Sequence, residues 1–278
     1  MSAYSTGLEL ILNACEGVLQ MAVTENGQPL CFQEWMRPDH ATEILAPALA
    51  EICRSLGISP GRFRRVGCFN GPGSFTGIRL VLTSASAMLH AGHAQLAALN
   101  YLQALATSAV MRRGLLYPAP VWVLTHARRN LVHCQPYRSY GPQIPAQPLA
   151  PVELLPPVQA MERFADEKCH VCGSALARYP QIFEPAATGA GPAGAPQAIV
   201  MPGLRSPDRD ALCLLARHGD YFAKDVEPLY VRPCDAVENL PEMARRAGKD
   251  GEVTLKEFKE TLERPLSEDE LWQPGDAG

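Results

Sequence analysis

The chain is poor in charge and in aromatic residues. Only 19% of its 278 residues are Asp, Glu, Lys or Arg, 7% are Phe, Trp or Tyr, and the formal net charge is -4. That balance excludes a strongly basic nucleic-acid binder. No Lys or Arg precedes the first apolar stretch and no clean small-residue cleavage site follows it, which predicts a cytoplasmic protein. No charged residue lies between Arg79 and Arg112, yet Thr83, Ser84, Ser86, His90, Gly92, His93, Gln95 and Asn100 interrupt that run, so a membrane span is not expected. A Walker A loop and a Gly-x-Gly-x-x-Gly fingerprint are both missing. Cys169-x-x-Cys172 has metal-ligand spacing but no second pair, and His90 and His93 fall at a helix end. No metal site is therefore expected. The 9 cysteines are scattered, as suits buried small hydrophobes in a reducing compartment. Ser74 has no His and acid partners in a plausible chain order for a nucleophile.

What is present is apolar, at 47%, enough for one large core or two smaller ones. Residues 8–36 read as three strands, the second and third joined at Asn26-Gly27, because both central residues of a type I′ turn need positive φ. His40 to Leu56 has helical periodicity and ends at Gly57, with Pro47 marking a kink or a late start. A short strand, Arg65 to Phe69, runs into Asn70-Gly-Pro-Gly-Ser-Phe-Thr-Gly77, and a helix follows from Ile78 to Ala91. A strand over Gln95 to Leu99 leads to a helix capped by Asn100 and running to about Arg112. A hairpin of Val121–Thr125 with Leu131–Tyr137 follows. Pro-rich loops are expected from Ser139 to about Pro157 and from Pro185 to Pro196. Helices are expected at Val158–Glu167 and Asp210–Phe222, with a strand at Cys169–Cys172. This order predicts a duplicated ribonuclease-H-like α/β fold. Its lobes are 1–112 and a degraded second copy, 113–237, followed by a charged extension, 238–278.

In the Gly-rich turn, Gly71, Gly73 and Gly77 let the chain turn sharply, and Ser74 or Thr76 can cap the next helix. Such a turn is either a tight strand-to-helix joint or a phosphate contact through Gly71, Gly73, Ser74, Thr76 and Gly77. Arg79 stands alone at the edge of an apolar helix, and Arg64-Arg65 and Arg128-Arg129 are paired bases.

Gly71-Pro-Gly-Ser-Phe-Thr-Gly-Ile-Arg79 resembles the signature of the TsaB (YeaZ) family. His40, Leu45 and Pro47 resemble its first helix, Leu102 to Ala106 a later helix, and Pro228-Leu-Tyr-Val-Arg-Pro233 its terminal segment. The resemblance spans about residues 8 to 237. It implies the actin-like ATPase superfamily fold and a non-catalytic scaffold for TsaD in making the N6-threonylcarbamoyladenosine of tRNA. The implied partners are TsaD as a heterodimer, TsaE, a second copy when alone, and tRNA through the complex, with no membrane. The chain alone would bind no cofactor, ATP or ADP being left to the complex with TsaD. The family's interface maps onto the two helices, and their apolar residues are Ile44, Leu45, Leu49, Ile52 and Leu56 on the first, with Ile78, Val81, Leu82, Ala85, Met88 and Leu89, beside Arg79, on the second. Both helices are too widely apolar for one buried face, which predicts a second surface to cover them.

Two departures bear on chemistry. Family members usually carry Asp-Thr-Ser where this chain has Asn13-Ala14-Cys15, and often an Asp where it has His126 before Ala127-Arg128. Losing carboxylates removes the hard oxygen ligands magnesium prefers. This weighs against the two rival readings, a stand-alone ATPase or phosphotransferase of the superfamily and a glycoprotease-like peptidase. Residues 238–278 carry a balance of -5 and residues 1–237 a balance of +1, so the acidity belongs to the extension.

Overall fold

Strand alternation builds the first sheet. In β1 (Leu8–Asn13), Leu8, Leu10 and Leu12 face one core cluster and Ile11 another, so both faces are buried. β2 (Leu19–Glu25) pairs antiparallel with β1, and β3 (Gln28–Trp35) with β2. Asn26 and Gly27 turn between them at φ 53° and 77°, as the Asn-Gly pair predicts. β4 (Phe63–Gly71) and β5 (Gln95–Asn100) add in parallel, giving the order β3-β2-β1-β4-β5. The computed structural model describes residues 7–36, 40–92, 94–116, 120–128, 130–165, 167–183, 198–231, 235–248, 250–253 and 256.

Two helices cover one face of this sheet. α1 (Ala41–Leu56) runs through Pro47, which is exposed, and ends where Gly57 turns left-handed at φ 66°. α2 (Phe75–Gly92) starts three residues before the predicted Ile78, because the Ser74 hydroxyl already accepts from the Gly77 N–H at 3.3 Å. The opposite face meets α3 (Tyr101–Arg113), whose N-terminus Asn100 caps through the Gln103 N–H at 2.9 Å.

The second sheet repeats the first. β6 (Pro120–Arg128) and β7 (Leu131–Arg138) form the predicted hairpin. β8 (Gln147–Pro148) and β9 (Glu153–Leu155) lie antiparallel on β7. α4 (Pro157–Glu162), β10 (His170–Cys172), α5 (Ser174–Arg178), β11 (Ile199–Met201) and α6 (Arg209–Arg217) complete it. Its order, β11-β10-β6-β7-β8 with β10 parallel to β6 and β11, matches the first sheet strand for strand. The duplicated ribonuclease-H-like layout is therefore observed, with α3 and α6 packed in a cluster shared by both sheets.

Several elements differ from expectation. The stretch expected as a Pro-rich loop supplies β8 and β9, a third strand broken by Pro148 and Pro151. The helix expected over 158–167 stops at Glu162, where a tighter turn buries Phe164 against Trp122, with ring centroids 5.9 Å apart. The helix expected to reach Phe222 stops at Arg217. A Cβ at Gly219 would lie 3.1 Å from that of Ala97, and this close approach lets the chain turn along the sheet edge, where Phe222 and Leu96 exchange backbone hydrogen bonds of 2.9 and 2.8 Å. No described helix is long and apolar enough to cross a membrane.

Both sheets lie in one compact unit, Met1–Val231; Arg232–Gly278 is a second. The second contains α7 (Asp235–Arg246), followed by a turn in which the Asp250 carboxylate accepts from the Glu252 and Val253 N–H groups. The amphipathic segment expected around Leu255, Phe258 and Leu262 lies outside the described residues.

Candidate functional site

The Gly-rich turn is held from two sides by backbone. A Cβ on Gly73 or Gly77 would overlap the carbonyls of Cys15 and Ala14, and one on Gly71 would sit 2.7 Å from the Leu229 oxygen. Glycine is required here for close approach. The Ser74 N–H donates to the Cys15 carbonyl, and the Ile78 N–H to that of Ser74 at 2.9 Å. Thr76 remains exposed, and with Ser74, Gly77, Leu80, Ala14, Gly17, Val18, Ala41 and Thr42 it lines a cavity of about 370 Å³.

The turn from β1 to β2 presses against this loop. Asn13, buried where the resembling family has an acid, has both polar ends engaged. Its Oδ1 accepts from the Cys15 N–H at 3.1 Å and its Nδ2 donates to Gln20 Oε1 at 2.7 Å. Gln20 Nε2 reaches the Glu34 carboxylate and, at 2.8 Å, the Pro207 carbonyl of the second half. Glu16 also crosses to that half: the Ser174 hydroxyl donates to its Oε1 at 2.6 Å and itself accepts from the His126 N–H at 2.9 Å. Burial pushes the Glu16 carboxyl up to about 7, against the opposing pull of its hydrogen bonds. His126, stacked on Tyr179, is held below the usual imidazole range by burial and by Arg178. The sequence singled out Asn13 and His126; Glu16, an ordinary turn residue in one dimension, it passed over.

The two most specific sequence segments meet in space. Leu229 N–H donates to the Asn70 carbonyl at 2.8 Å, and Asn70 Nδ2 to that of Glu227 at 2.9 Å. The Tyr230 ring stacks on Phe75 at 5.2 Å; the Arg79 guanidinium lies 4.0 Å over Phe75, with its Nε 3.2 Å from the Tyr230 hydroxyl. Arg79 thus rests on an aromatic pair rather than on a carboxylate.

The interface residues expected on α1 and α2 divide. Leu45, Ile52, Ile78, Val81 and Ala85 are buried in the chain's own core and cannot offer a free surface. Ile44, Leu49, Leu56, Leu82, Met88 and Leu89 are partly buried against that core, and Arg79 is exposed. The width of apolar character reflects packing on both the sheet and the neighbouring helix. The outward surface mixes small side chains, Ala46 and Ala50 on α1 and Thr83 and Ala87 on α2, with charged ones such as Glu43, Glu51, Arg54 and Arg79.

The remaining candidates have structural partners. Cys169 and Cys172 are buried and their thiols are pushed up to about 12 by burial. His90 Nε2 lies 3.1 Å from Asp225, and His93 is outside the described residues. Arg65 lies 4.5 Å over the Tyr221 ring. Among the described residues no three His, Cys, Asp or Glu side chains are grouped to hold a metal. A separate cleft of about 870 Å³, lined by Asn70, Gln103, His218, Lys224, Asp225 and Glu227 among others, opens beside β5.

Paired sheets of one repeated topology, with their first-strand turns facing each other across a shared helical layer, define the actin-like ATPase fold. Solved structures agree. The fold matches an uncharacterized protein with similarity to peptidase YeaZ from Pseudomonas aeruginosa, at TM-score 0.65 and 20% identity over 82% of this chain and 100% of that one. YeaZ from Pseudomonas aeruginosa matches at TM-score 0.64 and 19% identity, over 81% and 100%. A family model described as TsaD, tRNA N6-adenosine threonylcarbamoyltransferase, matches residues 37–186, and the chain belongs to that family. No curated protein matches at comparable significance.

Proposed function

We propose that this chain is a non-catalytic scaffold that binds a TsaD-type protein through α1 and α2 and so supports threonylcarbamoyl transfer to tRNA adenosine. Membership of the family supports the role in tRNA modification. The observation that carries the non-catalytic part is Asn13: an amide with both ends engaged stands where a carboxylate would anchor magnesium. The small outward residues of α1 and α2 would let a partner helix approach closely.

The test combines this chain with a TsaD-type protein and measures complex formation and transfer to tRNA. Ala50→Arg and Thr83→Arg, both on exposed positions, are expected to cut affinity at least tenfold without lowering Tm. Val81→Asp, by contrast, should unfold the monomer, costing on the order of 4 kcal/mol or more for an unpaired buried charge. Transfer that is unchanged when the chain is omitted, or magnesium-dependent ATP turnover by the isolated chain, would overturn the reading.

A further inference from the structure

The scaffold role leaves the cleft of about 870 Å³ beside β5 without a task. Its size falls in the range of small-ligand pockets, about 300–1,000 Å³. Its walls come from three stretches of chain: β4 and β5 with the start of α3, the loop before β8, and the segment that follows α6. Leu96, Leu99 and Leu215 are buried apolar lining, whereas Ile144 and Phe222 are half-exposed in it.

The polar lining is one-sided. Asn70 spends its Nδ2 on the Glu227 carbonyl at 2.9 Å, Gln103 its Nε2 on the Ala146 carbonyl at 2.9 Å, and Gln147 its Nε2 on the Pro145 carbonyl at 3.0 Å. A carbonyl only accepts, so these contacts fix which end of each amide is nitrogen. Among the described residues nothing donates to the three amide oxygens. His218 likewise donates from Nδ1 to the Leu214 carbonyl at 3.0 Å. The charged lining is Asp220, Asp225 and Glu227 against a single Lys224. Asp225 is shared with Ser86 and His90, but neither the Asp220 nor the Glu227 carboxylate has a partner among the described residues. The cleft therefore offers more acceptors than donors, and more negative charge than positive, over an apolar floor.

We propose that this cleft binds an aliphatic polyamine, a chain of ammonium groups separated by methylenes. Ammonium groups carry only donors, which the amide oxygens and the Asp220 and Glu227 carboxylates take, while the methylenes lie along Phe222 and Ile144. Lys224 shows the same chemistry on a small scale, its ammonium standing 5.7 Å over the Phe222 ring. A basic peptide strand fits less well. Phe222 already exchanges backbone hydrogen bonds with Leu96, and so occupies the β5 edge on which a strand would add.

Calorimetric titration of the full chain with spermidine, at constant low ionic strength, tests this. One saturable site is expected, weakening as salt is added. Asp220→Asn and Glu227→Gln, both at exposed positions, should each loosen binding about threefold, and Lys224→Ala, which removes the competing cation, should tighten it by about the same factor. Phe222→Ala should weaken spermidine binding as well, by removing the apolar wall. Glu153→Gln, which breaks an exposed pair with Arg163 outside the cleft lining, should change nothing. Hexanediol, which has the stem without the charge, should not bind. The proposal is overturned by the lack of saturable spermidine binding, by equal binding of magnesium, or by an affinity indifferent to the three charge variants. Tighter binding of a peptide alternating Lys and Ala would also overturn it, assigning the cleft to a partner's basic segment. Complex formation with a TsaD-type protein is a separate measurement, so none of these results decides the scaffold reading.

Discussion

At the scale of single residues, three glycines with the same spelling in the sequence perform different tasks. Gly57 supplies a left-handed φ and has open space where a Cβ would go, whereas Gly73 and Gly77 are needed because other backbone lies against them. Gly77→Ala should therefore destabilise the chain by at least about 3 kcal/mol, since neither the Ala14 carbonyl nor α2 can yield without opening the β1–β2 turn. Equilibrium unfolding in urea checks this, with Gly61→Ala, where a Cβ meets nothing, as the neutral comparison. The Gly-rich motif was legible as a sharp turn from sequence. That two of its glycines serve the contact with residues 14 and 15 was not, because the contact joins positions about sixty apart. Glu16 was illegible for the same reason: its burial and its partner Ser174 come from the other half of the chain.

Secondary-structure elements were readable where the local signal and the tertiary demand agreed. The Asn26-Gly27 turn, the Gly57 stop and the Asn100 cap fall where the residues put them, because each is settled within one turn of chain. Asn100→Ala should cost about 1 kcal/mol by removing the acceptor of the Gln103 N–H, and Asn100→Asp should recover most of it, as read by Tm. Where the two signals parted, the tertiary one prevailed. Phe222 has helical neighbours in sequence, yet its backbone completes the edge of β5, so α6 ends five residues early. β8 and β9 lack strand-like alternation and exist because β7 presents an unpaired edge to them. The apolar breadth of α1 and α2 suggested a partner surface, but α2 rests on β4 and α1 on α2, and these contacts consume much of it. What is left for a partner is exposed surface that mixes small and charged residues, which hydrophobicity does not flag.

For the whole molecule, the telling element is α3. Nine of its thirteen residues are buried, including Thr107 and Ser108, whose hydroxyls donate back to the Gln103 and Ala104 carbonyls at 2.7 and 2.9 Å. It joins Ile11, Phe69 and Leu99 of the first sheet to Val121, Val123 and Cys172 of the second. Residues 1–112 expressed alone would leave one side of α3 in water, and such a fragment should be aggregation-prone or partly unfolded by circular dichroism and size-exclusion chromatography. A soluble fragment with a sharp transition would argue against this. The repeated topology suggests two copies once capable of standing apart, but a helix with no polar face can no longer leave either of them. Duplication has here become dependence: the chain should lose both sheets in a single cooperative transition, and a lesion in one half should be felt as lost order in the other.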